Sequence, residues 1–464
     1  MHKIKNKFTE AFDRSKPPEA GAAKDVHFPG YYETKTSNGI NILVIENYKI
    51  PAVSLRLVFK NAGSYFDGEN YGLASITSEL LTKGTKKRTA EDIAEEIDFL
   101  GATLAAGADW DGSYISSSAL KKHIGKAVEV LADVILNPVF SEEEIKRVKE
   151  HRISTIIQGK DETSVLSDKL FNRVVFDNHP YSHPYEGTIN SVKKITQADI
   201  TGFYNKFYQP ANLIFAFVGA ISVDEALTIV NDKFSDWNSS GIPDNIKTYD
   251  FESGYSVKNA YIADKKEAVQ SSLRIGHIGL KRNNPDIITV TVMNTILGGF
   301  FGSRINYNLR EKQGYTYGAR SGFNSRIQKG DFCVETEVRS DVSCHAVQLI
   351  LDELKKITEE YITDEELNLV KNYLAGTFPL QLETANSVAS KVINLKLYDL
   401  DKDYYNTYIS RINNVTKDDV LKAAQKYLKP DDCYTVLSGN SELIKKDFSK
   451  YWDVVVYDSD GNQI

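Results

Sequence analysis

The sequence predicts an α+β protein made of two copies of one domain, each a mainly antiparallel sheet with helices packed on one face. Three segments recur at a nearly constant separation of about 220 residues: 53–59 resembles 271–278, 140–149 resembles 362–371, and 193–219 resembles 413–439. A single repeat of this length indicates duplication of a domain rather than a solenoid. Within each copy, strand-like segments alternate with long amphipathic helices, which is typical of helices covering one face of a sheet.

The first repeat begins with strands. Asn38 and Gly39 stand between two alternating segments of residues 31–48, and this dipeptide predicts a hairpin with a two-residue loop. The next strand lies within residues 51–63 and places four apolar side chains on one face: Val53, Leu55, Leu57 and Phe59.

Helices and a second pair of strands follow. Helices are predicted at 72–81, 89–100, 126–136 and 141–158, and paired strands at 102–120. Thr89 is suited to cap the second of these helices. The fourth opens with a capping box of Ser141 and Glu144, and the second half of the chain repeats this box as Thr363 and Glu366.

These patterns divide the chain into four segments. Residues 1–25 are polar and contain two adjacent prolines, so an extended arm or a short helix is expected there. The first repeat is assigned to 26–238 and the second to 245–464. The polar stretch NSSGIP marks the linker between them, assigned to 239–244.

Composition narrows the class of protein. Hydrophobic residues make up 41% and charged residues 26% of the chain, as in an ordinary globular protein, and the net charge of −7 argues against a nucleic-acid binder. Cys333, Cys344 and Cys433 are odd in number and far apart, which favours a reducing compartment. No apolar run is long enough for a membrane span, and no signal peptide is visible. We therefore expect a cytoplasmic protein, or a periplasmic one if a signal peptide has been removed.

A glycine-rich segment contains the strongest functional signal. Gly298 and Gly299 follow an apolar helical run, and Arg310 and Tyr317 come after them, seven positions apart. Arginine is a charged fork of donors and tyrosine a phenolic donor, so the two could stabilise a carbonyl oxygen that becomes negative during acyl transfer. On spacing alone, such a pair is more often an ordinary surface pair.

A resemblance strengthens the functional interpretation. The motif L-R-E-K-x-G-x-x-Y after a glycine-rich turn resembles the second-half signature of the pitrilysin/insulinase-type zinc peptidases, the inverzincins. Residues 71–85 resemble the first-half pattern G-L-A-H-x-x-E-H-x-L-x-K-G-T of that family. Ser75 stands at the position of the first His, Ser78 at the position of the Glu, and Glu79 at the position of the second His. The resemblance covers nearly the whole chain and implies two like domains related by a pseudo-twofold.

The resemblance also implies which site residues are present and which are missing. The third zinc ligand of the family is a Glu about 77 residues after the second His, but residues 153–157 here are ISTII, without a carboxylate. We therefore expect no metal in this chain and zinc in a partner subunit. Arg310 and Tyr317 would act in trans on the partner's site, and Gly298, Gly299 and Tyr315 are expected to bind substrate.

Other histidines give weaker signals. His179 and His183 are four residues apart, but each precedes a proline, so a structural loop is the preferred interpretation over a metal site. His277 lies in a strand-like run and is expected to be a satisfied core or edge residue.

Three functional interpretations remain open. In the first, the chain is the non-catalytic subunit of a heterodimeric or heterotetrameric zinc metallopeptidase and pairs with a homologous H-x-x-E-H subunit, as in the processing peptidases. In the second, it is a catalytically inert binding or structural member of the same fold. In the third, it is a self-sufficient enzyme with an unrecognised site. Loss of only the first-half motif favours the first interpretation, since drift after loss of function would erode both halves.

Overall fold

The computed structural model describes residues 26–238, 249–251 and 253–464. The predicted arm, 1–25, and the predicted linker, 239–244, lie outside the described residues.

The first half of the chain forms a six-stranded sheet. Its strands are β1 (Tyr32–Lys35), β2 (Asn41–Glu46), β3 (Ala52–Lys60), β4 (Thr103–Ala108), β5 (Gly112–Leu120) and β6 (Leu213–Gly219). They are arranged in the order β1-β2-β6-β3-β5-β4, and every neighbouring pair is antiparallel except β2 and β6. Strand β4 therefore lies at one edge of the sheet.

The second half repeats this topology. Its strands are β7 (Asn259–Asp264), β8 (Gln270–Ile278), β9 (Ala319–Asn324), β10 (Asp331–Arg339), β11 (Tyr434–Gly439) and β12 (Asp453–Tyr457), in the order β12-β7-β11-β8-β10-β9. Strands β7, β11, β8, β10 and β9 correspond to β2, β6, β3, β5 and β4. The remaining strands, β1 and β12, differ in direction: β1 runs antiparallel to β2, whereas β12 runs parallel to β7. The predicted fold of two like, mainly antiparallel domains is confirmed.

Helices flank both sheets. In the first half they are α1 (Leu73–Leu80), α2 (Ala90–Phe99), α3 (Ile124–Leu136), α4 (Glu142–Gly159), α5 (Thr163–Phe176), α6 (Ile189–Lys194), α7 (Gln197–Phe207) and α8 (Val223–Phe234). In the second half they are α9 (Ile287–Asn294), α10 (Arg304–Asn306), α11 (Ser343–Glu359), α12 (Asp364–Thr377), α13 (Ala385–Leu397), α14 (Tyr408–Asn414), α15 (Lys417–Tyr427) and α16 (Ser441–Phe448). Two π-helical turns, Thr295–Gly299 and Tyr307–Lys312, continue α9 and α10. Across the described ranges, no helix combines the length and the apolar character needed to cross a membrane.

Each half lends one helix to the sheet of the other half. Helix α5 packs on β8 and β11, where its buried Leu170 and Val174 join a cluster with Val436 of β11. Helix α13 packs on β3 and β6, where its Val392 joins a cluster with Val58 of β3. Because each sheet needs a helix from the other half to bury one of its faces, the two halves share their cores.

An arginine in the turn between β9 and β10 adds a second connection between the halves. The Arg326 guanidinium lies 3.8 Å from the ring centre of Trp110 and 4.6 Å from that of Tyr181. Beside it, the Asp111 carboxylate accepts hydrogen bonds from the Tyr181 hydroxyl at 2.6 Å and the Ile327 backbone N–H at 3.0 Å. A cation in a desolvated aromatic cage is held strongly, so this turn fixes the second sheet to the first half.

One of the two predicted capping boxes forms completely. At α12, the Thr363 side chain accepts from the Glu366 N–H and the Glu366 carboxylate accepts from the Thr363 N–H. At α4, Ser141 accepts from the Glu144 N–H, but the reciprocal bond is missing and that part of the prediction is wrong. The Glu144 carboxylate instead pairs with Arg147 at 2.6 Å.

The first hairpin also differs from the prediction. Strand pairing stops at Lys35 and Asn41, so the loop is longer than two residues. The Asn38 side-chain amide donates to the backbone carbonyls of Phe234 at 2.7 Å and Trp237 at 3.0 Å. This contact with the end of α8 holds the loop, and a tertiary contact of this kind is not visible in the local pattern.

Replacing Arg326 with Gln tests the connection made by the β9–β10 turn. We expect the free energy of unfolding to fall by about 2 kcal/mol or more, because the cation is lost from a desolvated aromatic cage. Urea titration followed by circular dichroism measures the change. Arg339→Gln is the matched control, since the Arg339 side chain is 62% exposed and contacts Asp341 at the surface. Equal effects of the two substitutions would contradict the proposed role of the cage.

Candidate functional site

Helix α1 carries the degenerate motif, and its first turn is fixed by Asp67. The Asp67 carboxylate accepts hydrogen bonds from the N–H groups of Gly72 and Ala74, both at 2.8 Å. Gly72 has φ of +94°, and a Cβ at this position would lie 2.7 Å from the carbonyl oxygen of Glu186. The helix therefore begins at a close backbone approach that requires glycine.

Two of the degenerate positions meet an arginine from α4. Ser75 and Glu79, one turn apart on α1, face Arg152. The Arg152 guanidinium donates from Nη1 to Ser75 Oγ at 2.9 Å and from Nη2 to Glu79 Oε2 at 2.6 Å. The Arg152 side chain is 14% exposed and that of Glu79 is 27% exposed. A largely buried ion pair thus joins the two helices at this point.

Ser78, at the position of the general base, has a structural contact. It is fully buried, and its hydroxyl donates to the Gly107 carbonyl of β4 at 2.8 Å. A serine hydroxyl is not a base at neutral pH, so this residue attaches α1 to the edge strand and offers no proton acceptor.

The residues present here do not fit a catalytic zinc ion. Such an ion needs three protein ligands drawn mainly from His, Cys, Asp and Glu. The site offers one carboxylate, already paired with a guanidinium, and two serine hydroxyls. Nowhere in the described part of the chain do three or more His, Cys, Asp or Glu side chains form a group that could hold a metal ion.

The glycine-rich segment of the second half lies against strand β9. Gly298 is buried, and a Cβ there would lie 2.3 Å from Ser321 Oγ, so glycine is needed for this packing. Gly299 is exposed. The Tyr315 hydroxyl lies 2.9 Å from Nδ1 of His345, which holds the loop to α11.

Arg310 and Tyr317 lie on either side of this loop and differ in their surroundings. Arg310, in the second π-helical turn, stacks its guanidinium on the ring of Phe301 at 4.4 Å, lies 3.5 Å from Glu311 and remains 34% exposed. The Tyr317 side chain is 93% exposed, and its hydroxyl has no hydrogen bond within the described residues. Tyr317 therefore does not brace the turn, whereas Arg310 contributes to its shape.

The backbone around Tyr317 is nevertheless held firmly. The Gly318 N–H donates to the Thr316 hydroxyl at 3.1 Å, and the Gly318 carbonyl accepts from the hydroxyls of Thr316 at 2.9 Å and Thr336 at 3.0 Å. An exposed phenol on a fixed backbone is available to another molecule at little cost in backbone ordering.

Comparison with known proteins agrees with these features. Residues 41–188 match a family model described as "Insulinase (Peptidase family M16)", and residues 194–374 match one described as "Peptidase M16 inactive domain". This chain belongs to the M16 peptidase family.

Individual relatives extend over most of the chain. A protein of Rickettsia felis named "Uncharacterized zinc protease" is 25% identical over 406 residues, which cover 85% of this chain and 94% of that protein. A protein of Helicobacter pylori named "Non-peptidase homolog YmxG" is 23% identical over 412 residues, covering 88% and 93%. The crystal structure of an M16 inactive domain from Pseudomonas fluorescens has a TM-score of 0.82 at 26% identity, covering 88% of this chain and 98% of that one. The chain therefore combines the M16 fold with a first-half motif in which serine, serine and glutamate stand at 75, 78 and 79.

Sequence reasoning missed Arg152. Residues 153–157, to which the family resemblance assigns the third ligand, contain no carboxylate. The residue that reaches the site from α4 has the opposite charge. The sequence does contain a signal for this contact: a basic residue, Arg152, directly precedes 153–157, and a carboxylate, Glu79, stands at the position of the second His.

The histidines considered as possible metal ligands are structural. His179 stacks on Phe251 at 4.4 Å and His183 stacks on Tyr71 at 3.9 Å, and burial lowers the pKa of both histidines to about 4. These contacts agree with a structural loop, and the absence of a metal site at 179–183 stays a prediction.

His277 is also buried, as expected. Its Nε2 accepts from the Lys429 N–H at 3.1 Å, and its Nδ1 lies 2.9 Å from the Ile278 carbonyl, so the neutral ring donates from Nδ1. Burial lowers the pKa of His277 from 6.5 to about 4.

This shift predicts sensitivity to acid. Between pH 6.5 and about 4, His277 binds a proton in the unfolded chain but not in the folded protein. The contribution of His277 to the free energy of unfolding is therefore fully present above pH 6.5. It decreases as the pH is lowered, by up to about 1.4 kcal/mol per pH unit. Denaturant titrations of the wild type and His277→Gln at pH 7 and pH 5 measure the effect. The variant should lose less stability than the wild type over this interval, whereas His151→Gln, at an exposed position on α4, should behave as the wild type. Parallel losses in all three proteins would contradict the assignment.

Proposed function

We propose that this chain is the non-catalytic subunit of a two-chain zinc peptidase. A homologous M16 partner with an intact H-x-x-E-H motif supplies the zinc, and this chain supplies Arg310 and Tyr317 in trans. The observation that carries the proposal is the contrast between the two halves. In the first half, Ser75 and Glu79 of the degenerate motif both accept hydrogen bonds from Arg152. In the second half, the phenol of Tyr317 is almost fully exposed on a fixed backbone.

The chemistry of peptide hydrolysis suits these two side chains. Attack on the scissile carbonyl builds negative charge on its oxygen, and positioned donors stabilise that charge. Zinc in the partner would activate the attacking water. Arg310 offers a charged fork whose direction is set by its stack on Phe301, and Tyr317 offers a neutral donor. Loss of one such donor commonly lowers kcat by about 10²–10³.

The proposal gives the neighbouring residues different parts. Gly299 is exposed and lacks a side chain, so the main chain of a peptide could approach it closely. Gly298 packs against Ser321 and Tyr315 contacts His345, and both would contribute to substrate binding by holding the loop that presents Gly299. An extended peptide would also pair with a sheet edge of the partner, where main-chain bonds give affinity with little sequence selectivity.

The second candidate is a binding or structural role without turnover. The name of the Helicobacter pylori relative, "Non-peptidase homolog YmxG", favours it. Under this reading the chain still assembles with a partner or captures peptides, but Arg310 and Tyr317 take no part in hydrolysis.

Reconstitution separates the two candidates. We expect this chain alone to leave a quenched fluorescent peptide uncleaved, and its mixture with an H-x-x-E-H M16 chain of the same source to cleave the peptide with a rate well above that of the partner alone. Inhibition of the mixture by a chelator would attribute the activity to zinc. A stable complex without increased turnover would support the binding role and contradict the first candidate. Chelator-sensitive turnover by this chain alone would contradict both.

Removal of the Tyr317 hydroxyl tests the site directly. In the reconstituted enzyme, Tyr317→Phe should lower kcat by about 10²–10³, because one donor to the developing oxyanion is lost. Melting temperature and complex formation should not change, since the side chain is 93% exposed. Tyr451→Phe is the control, as Tyr451 is also an exposed tyrosine (61%) but lies in the turn after α16. Unchanged kinetics for Tyr317→Phe would rule out a catalytic role for the phenol.

Arg310→Lys tests the second donor. It retains the charge but not the planar fork, so we expect kcat to fall with a smaller change in KM. Arg339→Lys serves as the control at a surface position. A loss of activity that follows a loss of melting temperature would indicate that Arg310 only shapes the loop through Phe301.

A further inference from the structure

The contact between α1 and α4 contains a positive charge where an M16 peptidase binds its metal ion. Ser75 and Glu79 stand at the positions of the two histidine ligands, and both accept hydrogen bonds from the Arg152 guanidinium. The guanidinium therefore lies between the two positions that would hold a metal ion from α1.

The helix that supplies Arg152 is equally informative. Residues 153–157, the segment to which the family resemblance assigns the third ligand, lie on α4. Arg152 comes from the same helix. In this chain α4 contributes the cation and α1 contributes the carboxylate, so the two helices are still joined through a central positive charge.

Burial gives this arrangement its strength. Ser75 is 4% exposed, the Glu79 side chain 27% and the Arg152 side chain 14%. The guanidinium gives the partly buried Glu79 carboxylate an opposite charge and a hydrogen-bond donor with fixed geometry.

We infer that Arg152 is an internal cation that stands in for the metal ion. It neutralises Glu79, joins α1 to α4, and excludes a divalent cation by like-charge repulsion. Ser75, Glu79 and Arg152 then form one hydrogen-bonded group that replaces the metal site. Restoring metal ligands on α1 alone would not restore metal binding, because Arg152 would remain. This inference concerns the first half of the chain and does not depend on the proposed roles of Arg310 and Tyr317.

Zinc affinity in a ligand-restored background tests the exclusion. Ser75→His places an imidazole one turn from Glu79, and this variant is compared with S75H/R152Q and S75H/R147Q by isothermal titration with zinc chloride. We expect S75H/R152Q to bind zinc roughly tenfold more tightly or better, since a charge of the same sign is removed from the site. S75H/R147Q should match S75H, because Arg147 lies on the same helix but pairs with Glu144 at the surface. Equal zinc affinity in all three proteins would overturn the inference.

The otherwise native chain provides a second measurement. Arg152→Gln leaves Glu79 without its cation, so the melting temperature should fall further than in Arg147→Gln, and Arg152→Lys should fall between the wild type and Arg152→Gln. Native protein purified without chelator should contain no stoichiometric zinc. About one zinc per chain, lost in Glu79→Ala, would overturn the inference, as would equal melting temperatures for Arg152→Gln and Arg147→Gln.

Discussion

The exchange of helices between the two sheets is the constraint on which the rest of the molecule depends. Helix α5 covers part of the second sheet, and α13 covers part of the first. Only three residues separate α4 from α5, so packing of α5 on the far sheet also limits where α4 can lie. The contact between Arg152 and α1 is therefore set partly by the other half of the chain.

The two halves share a topology but differ in whether their polar side chains are bonded internally or exposed at the surface. In the first half, the charged groups of Arg152 and Glu79 satisfy each other, and Ser78 is bonded to a strand carbonyl. In the second half, the segment before β9 leaves a phenol and part of a guanidinium at the surface, on a backbone held by internal hydrogen bonds. Hydrogen-bond donors that are satisfied internally stabilise a fold, whereas donors left at a fixed surface can bind another molecule.

Local patterns predicted much of the fold because they depend on neighbouring residues. The repeated segments, the apolar face of β3 and the cap at Thr363 all follow from spacing along the chain, and all are confirmed. The two errors share a cause. Glu144 could have completed a capping box but pairs with Arg147, and Asn38 could have formed a two-residue turn but bonds to the end of α8. In both places a competing partner took a group that the local motif also could use.

For the site, the sequence by itself determined which chemistry is absent and which side chains remain. Serine at 75 and 78 removes a metal ligand and a base wherever the helix lies, and Arg310 and Tyr317 are recognisable from their motif alone. Only the tertiary structure decided that Arg152 reaches Ser75 and Glu79, and that the Tyr317 phenol is exposed while Gly298 is enclosed. The reason is physical: ligand identity is a property of single residues, whereas ion pairing and exposure depend on which helices and strands pack together.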